Sequence, residues 1–267
     1  MKPGWLVRTG AGLLIASLAW VSQAGELVSV PTRPGVTQSI YIDGTAAAPE
    51  PRWVVVLFAG DDGATDLKAD GPARNQGNFL VRTRAYWNQI AALPVVFDAP
   101  SDYASGMNDP FRLSDAHVQD VAAVVAILRQ KYPAAKIALV GTSRGSISVG
   151  SILKRSPNLA DAYVLTSPVT VAGRGGPGLS GLSWERAGSR ALVVSNRHDG
   201  CMFSPLRSAQ KMAEANGFDF IAVSSEAGDT GMPGACRANS PHGYLGIENQ
   251  VLDAINAWLN GAATPAQ

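Results

Sequence analysis

With 267 residues, 46% of them hydrophobic and only 16% charged, the chain can bury one sizeable core, which excludes a disordered or fibrous protein. Lys and Arg number 22 against 21 Asp and Glu, a net charge of +1 with no basic cluster, so no nucleic-acid partner is expected. No repeat, low-complexity tract or charge run divides the sequence, and residues 25–267 read as a single domain.

The first 24 residues differ from the rest. Lys2 and Arg8 precede an apolar run at 11–21, followed by Ser22-Gln23-Ala24 with small side chains at the last and third-last positions. That layout is a secretory signal peptide with cleavage after Ala24. The apolar run is too short for the ~20 residues that cross a bilayer, so no stable membrane anchor is expected. Its removal leaves 20 basic against 21 acidic groups, a formal charge of −1, in a periplasmic or secreted protein. Export places the only two cysteines, Cys201 and Cys236, where disulfides persist, and they are expected to pair. Two free thiols are the alternative.

From residue 26 to 43, polar and apolar side chains alternate around Pro34-Gly35, which predicts an antiparallel hairpin on a sheet edge. Apolar, β-branched runs at 53–58, 94–98, 136–140, 162–166, 191–195 and 218–224 predict buried strands. Between them, 79–91, 115–131, 147–154, 205–216 and 244–259 carry helical periodicity. In the segment from Asp115, Val118, Val121, Ala122, Val125 and Leu128 form a stripe to face the sheet, and Ser114 can cap it. The fold class is α/β: a mostly parallel central sheet with helices on both faces.

Gly141-Thr142-Ser143-Arg144-Gly145 is the one G-x-S-x-G pentapeptide. A buried strand runs directly into it and a helical segment follows, which suits a nucleophile elbow, where the serine backbone is strained and glycines relieve crowding. The bland reading is a helix-capping serine in a glycine-rich turn. With that context the chain resembles the α/β-hydrolase-fold serine hydrolases over residues 26–260. More narrowly, Asn78-Phe79-Leu80-Val81-Arg82, Asp98-Ala99-Pro100-Ser101-Asp102, the serine motif and Ser240-Pro241-His242-Gly243 resemble a group of exported bacterial α/β-hydrolases of largely undefined substrate.

In that fold the acid and then the histidine follow the serine. His242, in a loop before the terminal helix, is the expected general base; His198 is the runner-up, and His117 reads as a polar position near the start of a helix. Asp199, just beyond the strand at 191–195, is the expected acid, with Asp229 as the alternative. A Cys201–Cys236 bridge would then tie the acid loop to the base loop. The resemblance implies an oxyanion hole from the amides of Arg144 and Asp61, although Ala59-Gly60-Asp61-Asp62 departs from the His-Gly-Gly-Gly of many lipases.

The implied reaction is acyl transfer on a small ester or acyl substrate, with ester hydrolysis as the default. An amidase, peptidase or acyltransferase on the same triad, or a binding protein on a disabled hydrolase fold, are the alternatives. No cofactor is implied, and the absence of H-E-x-x-H or C-x-x-C spacing argues against a metal. A large cap is not expected, because only 168–189 are free for it and Gly173–Gly178 would interrupt a long helix. Trp184, Tyr103 and Met107 either wall the pocket or pack the interior, and 60–77 is a long Asp/Gly-rich segment of no definite shape.

Overall fold

The computed structural model describes residues 1, 25–44, 51–184 and 189–263, so the expected leader, apart from Met1, lies outside the described residues. Its centre is an eight-stranded sheet. The strands are β1 (Glu26–Arg33), β2 (Val36–Ile42), β3 (Trp53–Phe58), β4 (Ala92–Phe97), β5 (Lys136–Thr142), β6 (Ala162–Thr166), β7 (Ala191–Asn196) and β8 (Asp219–Val223), in the order β1-β2-β4-β3-β5-β6-β7-β8. β2 pairs antiparallel with both of its neighbours, β1 and β4; β3 to β8 are mutually parallel. The edge hairpin and the mostly parallel sheet agree with the sequence pattern.

Alternation along β3 explains why helices cover both faces. Val54, Val56 and Phe58 point into one apolar layer with α4 (Asp115–Lys131), α5 (Gly145–Arg155) and α6 (Leu206–Asn216). Trp53, Val55 and Leu57 point into the other, with α1 (Phe79–Arg82), α2 (Tyr86–Gln89) and α7 (Glu248–Leu259). A further short helix, α3 (Asp109–Arg112), carries a third, smaller cluster of Ala64, Ala99, Met107 and Phe111.

Two predicted helices are shorter than their periodicity suggests. The segment 79–91 breaks after Arg82, where the Thr83 hydroxyl donates to the Phe79 carbonyl and competes with the backbone ladder. The terminal helix begins at Glu248 and not at Tyr244, because Tyr244 (φ 57°) and Gly246 (φ 81°) are left-handed. In α4 the buried face is His117, Asp120, Val121, Val124, Val125 and Leu128, so the stripe is rotated from the predicted one and Ala122 lies at its margin.

The segment 60–77 does have a shape. Asp98, at the end of β4, accepts hydrogen bonds from the amides of Thr65 (2.6 Å), Ala99 (2.8 Å) and Leu67 (3.0 Å), and a two-residue ladder pairs Leu67–Lys68 with Gly71–Pro72. One buried carboxylate thus satisfies loop amides that have no ladder partner. The opposite loop, 168–184, closes on itself through a Gly173–Gly176 bridge and contains no helix among its described residues.

Candidate active site

Strand β5 delivers Ser143 at the carboxyl edge of the sheet. The Ser143 backbone sits at φ 52°, a conformation that costs a non-glycine residue free energy, and its amide donates to the Thr166 carbonyl at 3.0 Å. Sterics dictate the flanking residues: a Cβ at Gly145 would overlap the Phe58 carbonyl oxygen, and one at Gly141 would overlap the backbone of Gly145. The elbow is therefore a close approach of three backbones that only glycine permits.

His242 reaches the same edge from the other side. Its Nε2 lies 2.9 Å from Ser143 Oγ and its Nδ1 lies 2.8 Å from Asp199 Oδ2, while the Asp199 side chain is fully buried. The second Asp199 oxygen accepts the Cys201 amide at 2.9 Å, which leaves the carboxylate little freedom to turn away. The His242 loop is anchored at several points. The Ser240 hydroxyl accepts the His242 amide at 3.1 Å, the Ser167 hydroxyl donates to the His242 carbonyl at 2.8 Å, and Asn196 donates to the Pro241 carbonyl at 2.9 Å. Beneath it the fully buried Tyr244 hydroxyl donates to the Val194 carbonyl and accepts the Ser167 amide, each at 2.8 Å, and burial raises its pKa. This use of Tyr244 explains why the terminal helix cannot start there.

Cys201 and Cys236 form a disulfide, with Cα atoms 4.6 Å apart, between the Asp199 and His242 loops. On chain-entropy grounds a cross-link over this separation stabilises the fold by about 3–4 kcal/mol.

The backbone amides of Arg144 and Asp61 make no hydrogen bond among the described residues, and both residues line a cleft of ≈ 990 Å³ together with Ser143 and His242. Asp61 adopts φ 53°, and its carbonyl accepts from Arg112 Nη2 at 3.2 Å. Arg112 is fully buried, and burial together with the neighbouring Arg144 lowers its pKa to about 9, so it keeps its charge at neutral pH. The Arg144 side chain turns away from Ser143 to pair with buried Asp109 at 2.5 Å. No group of three or more metal-ligating side chains occurs among the described residues.

No protein-family model and no curated protein sequence matches the chain. Solved structures do. A serine hydrolase without a lid from Xanthomonas campestris superposes with a TM-score of 0.58 at 12% identity, covering 91% of this chain and 96% of that one. Est1E from Butyrivibrio proteoclasticus with ferulic acid bound gives 0.61 at 12%, over 87% and 98%, and an esterase of Pyrococcus furiosus gives 0.61 at 11%, over 88% and 90%. The chain has the α/β-hydrolase fold.

Within this fold, several candidate residues of the sequence lie away from the cleft. His198 is exposed and contacts Ser224 (3.1 Å) and Glu226 (3.3 Å), and Asp229 turns back on the Gly231 amide at 3.0 Å. Trp184 donates to the Gly150 carbonyl and packs on Phe218, Tyr103 stacks on Phe111, and Met107 is buried beside it, so all three are packing residues. The apolar walls instead come from Phe79, Val169, Val171, Met202 and Phe203. His117 lies in the first turn of α4 and away from the cleft, as its position in the sequence suggests. It is fully buried among Phe58, Phe97 and Phe111, neither ring nitrogen has a partner, and burial, with Arg112 and Arg33 nearby, lowers its pKa to about 3.

Sequence reasoning assigned no role to Asn78, Arg82, Arg112 or Tyr244. Arg82 bridges the Gly77 and Gly243 carbonyls, each at 2.6 Å, and so joins the Asn78 turn to the His242 loop. The Asn-Asp-Pro-Phe run at 108–111, a cap followed by proline, carried the signal for α3.

Proposed function

We propose that the chain is a serine hydrolase that cleaves small carboxylic esters through an acyl-enzyme, with Ser143 as nucleophile, His242 as general base and Asp199 as its orienting acid. The observation that carries this reading is the continuous hydrogen-bonded line from Ser143 to His242 to Asp199, opening on a cleft where two backbone amides remain unused.

Ser143 Oγ attacks the ester carbonyl carbon as its proton passes to His242 Nε2. Asp199 holds the Nδ1 proton, which fixes the tautomer and stabilises the imidazolium. The carbonyl oxygen takes up the negative charge and accepts hydrogen bonds from the Arg144 and Asp61 amides. Collapse expels the alkoxide, which takes the proton from His242 and leaves as alcohol. A water then attacks the acyl-enzyme with His242 again as base, releasing the carboxylic acid and restoring Ser143.

Neighbouring structures named as an esterase and as a serine hydrolase support ester cleavage. The cleft volume suits a small molecule, and its Phe79, Val169, Val171 and Phe203 walls suit an apolar acyl or alcohol group. The leader-like residues 1–24 and the disulfide support an exported enzyme whose mature part, 25–267, forms one domain. The test is labelling of the purified 25–267 chain with a fluorophosphonate, followed by intact mass and peptide mapping. One adduct on Ser143, lost in Ser143→Ala, together with hydrolysis of p-nitrophenyl esters faster than of matched anilides, is the expected result. Labelling elsewhere, or wild-type turnover in Ser143→Ala, rejects it.

A further inference from the structure

The Asn78-Phe79-Leu80-Val81-Arg82 segment runs beside the nucleophile, and its first residue has no task in the mechanism above. Asn78 is only 8% exposed, yet it lines the same cleft as Ser143, Arg144, Asp61 and His242. Its Oδ1 caps α1 by accepting the Leu80 amide at 3.1 Å. That bond sets the orientation of the side-chain amide, because the flipped rotamer would aim two donors at each other. The NH2 group is left over, and it donates to no acceptor among the described residues.

The NH2 group is open to the cleft, so its acceptor is whatever the cleft binds. The location says which acceptor. A Cβ placed on Gly60 would lie 3.0 Å from Ser143 Cβ and 3.1 Å from Asn78 Nδ2, so the two groups face each other across the bare Gly60 backbone. The next residue, Asp61, presents its unused amide. The neighbouring Asn75 differs, since its Nδ2 is already engaged with the Gly60 carbonyl at 3.3 Å.

We propose that Asn78 Nδ2 is a third hydrogen-bond donor to the oxyanion formed on Ser143. The inference rests on the acyl-transfer reading above and adds to it a catalytic side chain. As the carbonyl oxygen changes from neutral to anionic, a hydrogen bond from Asn78 becomes charge-assisted, so its contribution falls on kcat more than on KM. Arg82 keeps this donor in register with the base: it holds the carbonyls of Gly77, just before Asn78, and of Gly243, just after His242. Donor and base are thus tied together by a hydrogen bond, Arg82 to Gly243, that spans 161 residues of sequence.

The experiment measures steady-state hydrolysis of p-nitrophenyl butyrate by wild type, Asn78→Ser, Asn78→Asp and Ser143→Ala, alongside thermal unfolding of each. Serine and aspartate both keep the helix cap, so unfolding midpoints should stay within about 2 °C of wild type. Serine is too short to reach the oxyanion, and aspartate offers an acceptor in place of the donor. Both variants should lose roughly 10²–10³-fold in kcat, with KM changed less than about threefold. If Asn78→Ser folds poorly, Asn78→Asp, which preserves cap and shape, decides the matter. A kcat within about threefold of wild type in a folded Asn78 variant, or a loss confined to KM, overturns the third donor while leaving the Ser143 mechanism intact. Wild-type activity in Ser143→Ala removes the acyl-transfer reading and this inference with it.

Discussion

The elbow that presents Ser143 and the loops that wall the cleft opposite it are held in place by different means. At the elbow, β5, α5 and the end of β3 approach so closely that Gly141 and Gly145 have no room for a side chain, and the backbone itself fixes the serine. Across the cleft, 169–176 and 201–203 follow no ladder of the main sheet and rely on isolated hydrogen bonds, such as Thr170 and Val171 to the Phe203 carbonyl, and on the Cys201–Cys236 bridge. In the proposed mechanism the first region sets which atom attacks. The second sets what can lie beside it, and such a wall can change without disturbing the sheet.

If that division holds, the largest effects come from the hydrogen-bonded line itself. His242→Ala should remove nearly all turnover, on the order of 10⁶-fold in kcat, and Asp199→Asn should cost 10³–10⁴-fold while the fold persists. Single-turnover kinetics with a chromogenic ester measure both. His198→Ala should keep most of the activity, since His198 lies at the surface against Glu226. The opposite ranking of the two histidines would relocate the base.

The two regions also differed in how far the sequence disclosed them. β3 and β6 match their predicted limits because a continuous apolar run buried on both faces leaves little choice of length or partner. The elbow was legible for the same reason: strand, glycine, serine and glycine follow in chain order. What the sequence hid depends on partners far away in it. Tyr244 leaves its helix because its hydroxyl is needed between Ser167 and Val194, and Arg112 is buried because Ser148 and the Asp61 carbonyl accept its hydrogen bonds. Trp184 looked like a pocket wall on chemistry alone, but the Gly150 carbonyl and Phe218 hold it in the interior. Local pattern reports on local geometry, and a loop-built wall has little of it.

A smaller effect separates the two regions by stability alone. At Gly145→Ala the new methyl would collide with the Phe58 and Ala59 carbonyl oxygens, backbone atoms that cannot yield without moving β3. Denaturant titration should show a loss of about 3 kcal/mol or more, together with lost activity. Gly175→Ala places its methyl no closer than 3.4 Å to any atom, the nearest being the end of the Arg144 side chain, and should change stability by less than about 0.5 kcal/mol. Equal losses at the two positions would mean that the cleft wall is packed as tightly as the elbow.

The effect that vanishes at neutral pH concerns His117, which sits against Phe58 without a partner for either nitrogen. Burial, with Arg112 and Arg33 adding repulsion, lowers its pKa from 6.5 to about 3. Above pH ~6.5 the imidazole is neutral in both the folded and the unfolded chain and stability does not depend on it. Between about 6.5 and 3 the unfolded chain binds a proton that the folded one excludes, so stability falls as the pH falls. The slope from this one group approaches about 1.4 kcal/mol per pH unit. His117→Leu removes the titrating group and two unsatisfied nitrogens from an apolar site, and it should leave stability at pH 8 within about 1.5 kcal/mol of wild type. Urea unfolding at pH 8, 6, 5 and 4 measures the difference between the two proteins. The expected result is a wild-type curve that falls away from the variant's only below pH ~6.5; parallel curves throughout would mean that His117 finds a proton acceptor or water in the folded chain and that the pocket beneath Phe58 is not dry.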